Sequence, residues 1–198
     1  MEEGAKRVAG MYIINTRRGP LFLADTTVNF NPTAEELADI TMLVAKEVRQ
    51  FNITPRIAMV SYSNFGSSPT PEAQTMSKAR ELVKRMDPTL TVDGEIQAAM
   101  AFNKEILQDN YPFSELIGED VNTLIFPNLA AGNVAYNLLQ EVAGFDSIGP
   151  ILLGMKKPVH ILQLGSTVRQ IVNVVLIAVV DAQTKCCKEA EAKNGKKK

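Results

Sequence analysis

The sequence predicts an α/β fold with a mainly parallel sheet flanked by helices. Short apolar runs alternate with amphipathic segments along the chain. Two of those runs pass directly into small polar loops and then into helices, the pattern of strand-to-helix crossovers. The composition, 45% hydrophobic and 22% charged over 198 residues, is enough for one domain with a real core.

Gly10–Asn15 and Leu21–Asp25 are apolar strands, and the turn-forming segment Thr16–Pro20 between them makes a hairpin or a neighbouring pair. Thr33 precedes the clearest helix and Glu36 stands at the capping-box position. Leu37, Ile40, Val44, Val48 and Phe51 then form one apolar stripe at helical spacing. Arg56–Ser61 is a buried strand that enters the polar loop Ser61–Ser68, and a helix follows over 71–86. Thr89–Asp93 is a strand, with Asp93-Gly94 read as a turn and 94–108 as a helix. Asn122–Phe126 is a buried strand leading into Pro127–Asn133, with a helix over 134–142. Ser147–Leu153 and Val159–Leu162 are the last strands, and Ser166 caps a final helix ending near Gln183. That helix carries Val168, Ile171, Val172, Val175, Leu176, Ala178 and Val179 around most of its circumference. Cover from a second protomer or from additional polypeptide is therefore expected, and with it a homo-oligomer.

Charge and cysteine usage exclude several functions. Net charge is −1, so no large basic field points to nucleic acid. The lysine-rich segment 184–198 reads as a disordered tail. Cys186 and Cys187 are adjacent, which disfavours a disulfide between them and suggests free thiols in a reducing cytoplasm. With one histidine, His160, and no C-x-x-C spacing, no metal site is expected. No apolar run is long enough to span a membrane, and no signal peptide is evident.

In a parallel sheet, ligands gather beyond the C-terminal strand ends. Ser61, Ser63, Asn64, Gly66 and Ser67 offer hydroxyls, an amide and free N–H groups there, suited to a phosphate; a plain connection with capping serines fits the same residues. Asn128, Gly132 and Asn133 offer amide hydrogen bonds and a close backbone approach, or a tight turn with a helix cap. Asp93-Gly94-Glu95 could hold a general-base pair or a turn, and Arg17-Arg18 reads as a solvated turn. His160 lacks an acidic partner nearby in sequence and reads as structural. These residues assemble no catalytic constellation.

Asn31–Leu37, Pro55–Ser67 (PRIAMVSYSNFGS), Asp93–Glu95, Leu124–Tyr136 (LIFPNLAAGNVAY), Gly149–Gly154 (GPILLG), Lys157–Val159 and Ile171–Asn173 occur in this order. Together they resemble the phosphate acetyltransferase/phosphate butyryltransferase family. The spellings Ser-Asn-Phe-Gly-Ser, Lys-Pro-Val-His and Ser-Thr-Val-Arg look most like the domain at the C-terminus of large bacterial NADP-type malic enzymes. The resemblance implies a two-lobed, isopropylmalate dehydrogenase-like architecture with ligand between the lobes. Residues 1–155 would form most of one lobe and 156–183 would belong to the other, completed by an N-terminal lobe. It also implies an acyl-CoA ligand, with acetyl-CoA as effector. A malic enzyme catalytic domain would be the partner, and NADP and a divalent metal would be confined to it.

The active transferases carry a Ser-Arg-Gly motif after Lys-Pro-Val and then an aspartate. Here Gln163, Leu164 and Gln170 occupy those positions. Loss of one aimed donor or charge typically costs about 2.7–4 kcal/mol of transition-state stabilisation. The resemblance, with these departures, implies a non-catalytic acetyl-CoA-sensing domain that tunes malate oxidation to pyruvate. An active acyltransferase and a purely structural oligomerisation domain are the rivals.

Overall fold

The structure, a computed structural model, describes residues 1–2 and 4–195, with side chains as far as Cys186. The described residues form six strands in one sheet, ordered β4-β3-β5-β2-β1-β6, and six helices. The strands are β1 (Ala9–Thr16), β2 (Gly19–Ala24), β3 (Arg56–Val60), β4 (Thr91–Ile96), β5 (Thr123–Ile125) and β6 (Ser147–Leu153). The helices are α1 (Ala34–Gln50), α2 (Pro71–Met86), α3 (Ala98–Ala101), α4 (Lys104–Asn110), α5 (Leu129–Glu141) and α6 (Val168–Gly195).

The hairpin expected at Thr16–Pro20 joins β1 and β2 antiparallel, with Thr16 opposite Gly19. β2, β5, β3 and β4 are mutually parallel, and β6 pairs antiparallel with β1. The C-terminal ends of β2, β3, β4 and β5 therefore share one edge, and β1 brings its first residues to the same edge. One face of the sheet packs Phe22, Ile57, Met59 and Val92 against α1 and α2. The other packs Leu23, Ala58, Val60 and Leu124 against α3 to α5. Period-two alternation in β1 sends Met11 and Ile13 to the first core and Tyr12 and Ile14 to the second.

α1 begins as its sequence dictates. Thr33 Oγ1 accepts from the Glu36 N–H, and the Glu36 carboxylate accepts from the Thr33 N–H at 2.8 Å. Such a cap contributes about 1 kcal/mol. The stripe Leu37, Ile40, Val44, Val48 is fully buried, and Phe51 packs against it.

Four boundaries differ from the sequence reading. β4 continues through Asp93-Gly94-Glu95 to Ile96, replacing the expected turn and the start of a 94–108 helix with two short helices, α3 and α4. The buried side chains of Asp93 and Glu95 find enough hydrogen-bond partners to keep the strand extended there. α5 starts at Leu129, before the expected Val134, because Asn128 rather than a later residue caps it. Val159–Leu162 is not a strand; a single bridge joins His160 to Ile151 along the outer edge of β6. Finally, Thr167, not Ser166, caps α6, and that helix passes the expected end at Gln183 to reach Gly195. The segment expected to be disordered over 184–198 is instead helical as far as Gly195, while residues 196–198 and the side chain of Cys187 lie outside the described part; Cys186 is an exposed free thiol.

α6 lies beside β6. Its Val174 is buried and Ile177 joins the first core, while Val168, Val172, Val175, Leu176 and Val179 face outward. No helix among the described residues is long and apolar enough to cross a membrane.

Candidate functional site

Parallel strands deliver three loops to one edge of the sheet. In the loop after β3, Phe65 and Gly66 both take left-handed backbone conformations, φ 46° and 85°. Glycine does this freely, whereas a non-glycine residue is held there at a cost of about 1–2 kcal/mol. The Phe65 ring packs on Tyr111 and Phe113, at centroid distances of 4.8 and 5.1 Å, which offsets that cost.

The resulting curl turns its donors inward. Ser63, fully buried, donates from Oγ to Glu95 Oε1 at 2.8 Å, and the Gly66 N–H donates to the same oxygen at 2.6 Å. Ser63 Oγ accepts from the Ser68 N–H, and Ser67 Oγ accepts from the Asn64 N–H at 2.9 Å. Asn64 Oδ1 accepts from the Gln97 N–H at 2.8 Å, and Ser61 Oγ accepts from the Ser63 N–H. The groups suited to an anion thus already hold one, the carboxylate of Glu95. Asp93, the other half of the suggested general-base pair, is equally committed, accepting from Ser114 Oγ at 2.8 Å and pairing with Arg80 at 3.2 Å. Gly66 and Ser67 remain exposed on the outside of the curl.

At the start of α5, Asn128 Oδ1 accepts from the Ala131 N–H at 2.9 Å, as a helix cap. Gly132 takes the close-approach role, since a Cβ there would lie 2.3 Å from the Asp25 carbonyl oxygen. Asn133 Nδ2 donates to the Thr26 carbonyl at 3.4 Å, and Asn137 reaches back to Asn133. The loop after β2 is organised by Asp25, which the sequence reading did not single out. Its Oδ1 accepts from the N–H groups of Gly10, Thr27 and Val28, and its Oδ2 from the backbone and side chain of Asn29. The available signal was an aspartate ending an apolar strand and followed by Thr-Thr-Val-Asn, the spacing of a side chain that bonds its own turn.

The third group lies around the far half of α5. A cavity of about 300 Å³ separates Tyr136, Asn137 and Gln140 from the segment that carries Gln163, Leu164 and Gln170. Gln163 Nε2 donates to Tyr12 Oη at 2.9 Å. Tyr12 stacks on Tyr136 with centroids 3.7 Å apart, and burial pushes its phenol well above the ordinary value, so it stays protonated. Leu164 is fully exposed. Gln170 Oε1 accepts from the Thr167 N–H at 2.8 Å while Thr167 Oγ1 accepts from the Gln170 N–H, a reciprocal cap. Glu141 is the one ionisable carboxylate lining this cavity, and no cation lines it.

His160 sits elsewhere, buried beside Asp181 of α6 at 3.9 Å, with Lys185 on the same carboxylate. The acidic partner missing from its sequence neighbourhood thus comes from the next helix. Burial lowers the imidazole pKa, which suits a structural histidine. Among the described residues, no hydrogen bond joins the Ser61–Ser68 loop, the Asn128–Asn133 segment and the Gln163–Gln170 segment to one another. No group of three or more His, Cys, Asp or Glu among them is arranged to hold a metal ion.

Comparison with known proteins identifies relatives of the chain. NADP-dependent malic enzyme of Haemophilus influenzae is 42% identical over 183 residues, which are 92% of this chain and 24% of that protein. Phosphate acetyltransferase of Bacillus subtilis is 35% identical over 181 residues, 91% of this chain and 56% of that protein. A crystal structure of a phosphotransacetylase from Streptococcus pyogenes superposes with a TM-score of 0.85 at 35% identity, covering 93% of this chain and 56% of that one. The chain thus spans about a quarter of the malic enzymes it matches and from 25% to 56% of the phosphate acetyltransferases. The family model described as phosphate acetyl/butaryl transferase matches residues 1–179, and the chain belongs to that family.

Proposed function

We propose that this chain is an acyl-CoA-sensing regulatory domain of a malic enzyme polypeptide, and that it binds acetyl-CoA without transferring its acyl group. The observation that carries the reading is the state of Gln163, Leu164 and Gln170. One is bonded to a neutral phenol, one is an exposed hydrocarbon and one caps a helix. Transfer between a thioester and phosphate develops negative charge that must be met by aimed cations or donors. The cavity beside these residues offers amides and the hydroxyls of Tyr136, Ser147 and Ser166, and its single charge, on Glu141, repels an anion. Neutral hydrogen bonding holds a polar ligand yet does little for the transition state over the ground state.

Regulation then requires the ligand to bind two arrangements of the polypeptide with different affinities. The partners in this reading are an N-terminal lobe completing the binding cleft and a malic enzyme catalytic domain, where NADP and a divalent metal would reside. The cell compartment is the cytoplasm.

The test uses the complete polypeptide. Calorimetry should report acetyl-CoA binding, and malate oxidation should change with saturating effector. Phosphate-dependent release of CoA from acetyl-CoA should stay at background. Appreciable phosphate-dependent turnover would establish an acyltransferase instead. Absence of binding with intact assembly would leave a structural role.

A further inference from the structure

A second concave site lies at the opposite edge of the sheet, where the parallel strands begin. Four separate segments wall a cleft of about 520 Å³: the β1–β2 turn with the start of β2, the end of α3, the residues before β5, and those after α5. Its sides are apolar, formed by Leu21, Phe102, Val121 and Phe145, and its charged wall is Arg17 with Arg18. The size falls in the range of small-molecule sites, about 300–1,000 Å³.

The polar inventory is uneven. Asn122 also lines the cleft, but its Oδ1 accepts from the Arg56 N–H and Thr123 Oγ1, and its Nδ2 donates to the Thr54 carbonyl. Thr16 Oγ1 is bonded to the Gly19 carbonyl across the turn. Arg18 spends one N–H on the Phe102 carbonyl at 3.4 Å. Arg17 makes no ion pair or hydrogen bond through its side chain among the described residues. The uncommitted polar capacity of the cleft is therefore cationic, set beside two aromatic rings.

We propose that this cleft is a binding site for a small amphipathic anion, with an aromatic or aliphatic body between Phe102 and Phe145 and a carboxylate or phosphate at Arg17 and Arg18. Guanidinium groups pair with either anion in bidentate geometry, and the rings supply the apolar burial. The site is independent of the loops at the C-terminal strand ends.

The experiment is a titration of the full chain, isotope-labelled for amide NMR, with 2-naphthoate, 2-naphthyl phosphate and the neutral 2-naphthalenemethanol. Saturable shifts are expected at Gly19, Leu21, Phe102 and Phe145, with the anions binding about tenfold or more tighter than the alcohol. The phosphate and carboxylate arms read which anion is preferred. In the double variant Arg17→Ala/Arg18→Ala, anion affinity should fall to that of the alcohol while alcohol affinity is unchanged. Both arginines are exposed turn residues, so an unaltered melting temperature verifies folding. Equal affinity for anion and alcohol, anion binding indifferent to the double variant, shifts confined to α6 or to Ser61–Ser67, or no saturable shift at millimolar probe would each overturn the proposal.

Discussion

Gly132→Ala sets two known effects against each other at one position. In an α-helix, alanine is favoured over glycine by about 0.8–1.0 kcal/mol, so propensity alone predicts stabilisation. The structure predicts the reverse. The added Cβ would lie 2.3 Å from the Asp25 carbonyl oxygen and 3.4 Å from the Phe126 Cβ. Ordinary contact begins near 3.4 Å, so α5 or the loop after β2 must retreat by roughly 1 Å. Neither yields easily. The obstructing atom is backbone, and the Asp25 carboxylate holds its loop through the N–H groups of Gly10, Thr27, Val28 and Asn29. Overpacking of this kind costs about 1–3 kcal/mol. After the gain in propensity, a net loss of about 1–2 kcal/mol is expected at the upper end of that range. With a urea slope near 3 kcal/mol/M, the unfolding midpoint should fall by about 0.3–0.7 M. Ala130→Gly, at an exposed position in the same turn, calibrates the propensity term alone. An unchanged or raised midpoint for Gly132→Ala would refute the steric reasoning.

Thr33→Ala should lower stability by about 1 kcal/mol, read as a drop in melting temperature, because the α1 cap loses the Glu36 N–H acceptor. Burial and the nearby Asp181 carboxylate raise the Glu47 carboxyl to about 7, so the folded protein takes up a proton that the unfolded chain releases near pH 4.5. That contribution is fully present below pH 4.5 and is lost as pH rises through 7. Glu47→Gln should therefore be more stable than the parent at pH 8, and that advantage should shrink towards pH 5. His160 titrates with the opposite sign, so the difference between parent and variant in urea melts is the measurement. Finally, the outward Val172 and Leu176 on α6 predict self-association of the full chain. Light scattering should show an oligomer that Val172→Lys/Leu176→Lys converts to monomer, and a monomeric parent would count against an interface there.

The strand and helix alternation was legible because its determinants are local. The α1 stripe, its capping box and the turn at Thr16–Pro20 each lie within a few residues of what they specify. The errors arose where a distant partner decides the outcome. Asp93-Gly94-Glu95 reads as a turn until Ser114, Arg80 and Ser63 satisfy its carboxylates inside the fold. By contrast, nothing overturns the structural reading of His160, and the carboxylate that approaches it at 3.9 Å, Asp181, comes from α6 and not from its sequence neighbourhood. Ser63 and Gly66 were recognisable as anion-holding groups from residue type. The identity of the anion was not, because Glu95 reaches them from a neighbouring strand. Gln163, Leu164 and Gln170 stood out against the family motif, but their present duties could be read only in three dimensions. Gln163 depends on Tyr12, which lies at the other end of the chain.

The two internal carboxylates also constrain how any acyl-CoA could be held. Asp25 and Glu95 consume the backbone donors that curl around the ends of β2 and β3, the donors best placed to grip a phosphate. Of the candidate residues, what the edge leaves for a ligand is the exposed outer surface of Gly66 and Ser67, since the Asn133 amide is already bonded to Thr26 and Asn137. Those are neutral, solvent-facing groups, each worth about 0.5–1.5 kcal/mol in a net hydrogen bond. Binding assembled from them alone would be weak, so tight binding requires further groups from an opposing surface. Affinity would then depend on how that surface is positioned, and such dependence is what allows a ligand to bias one arrangement of domains over another. The spent carboxylate nests and the uncharged Gln163–Gln170 segment thus support the proposed reading, in which this edge reports on a ligand through its surroundings and does not polarise it for reaction.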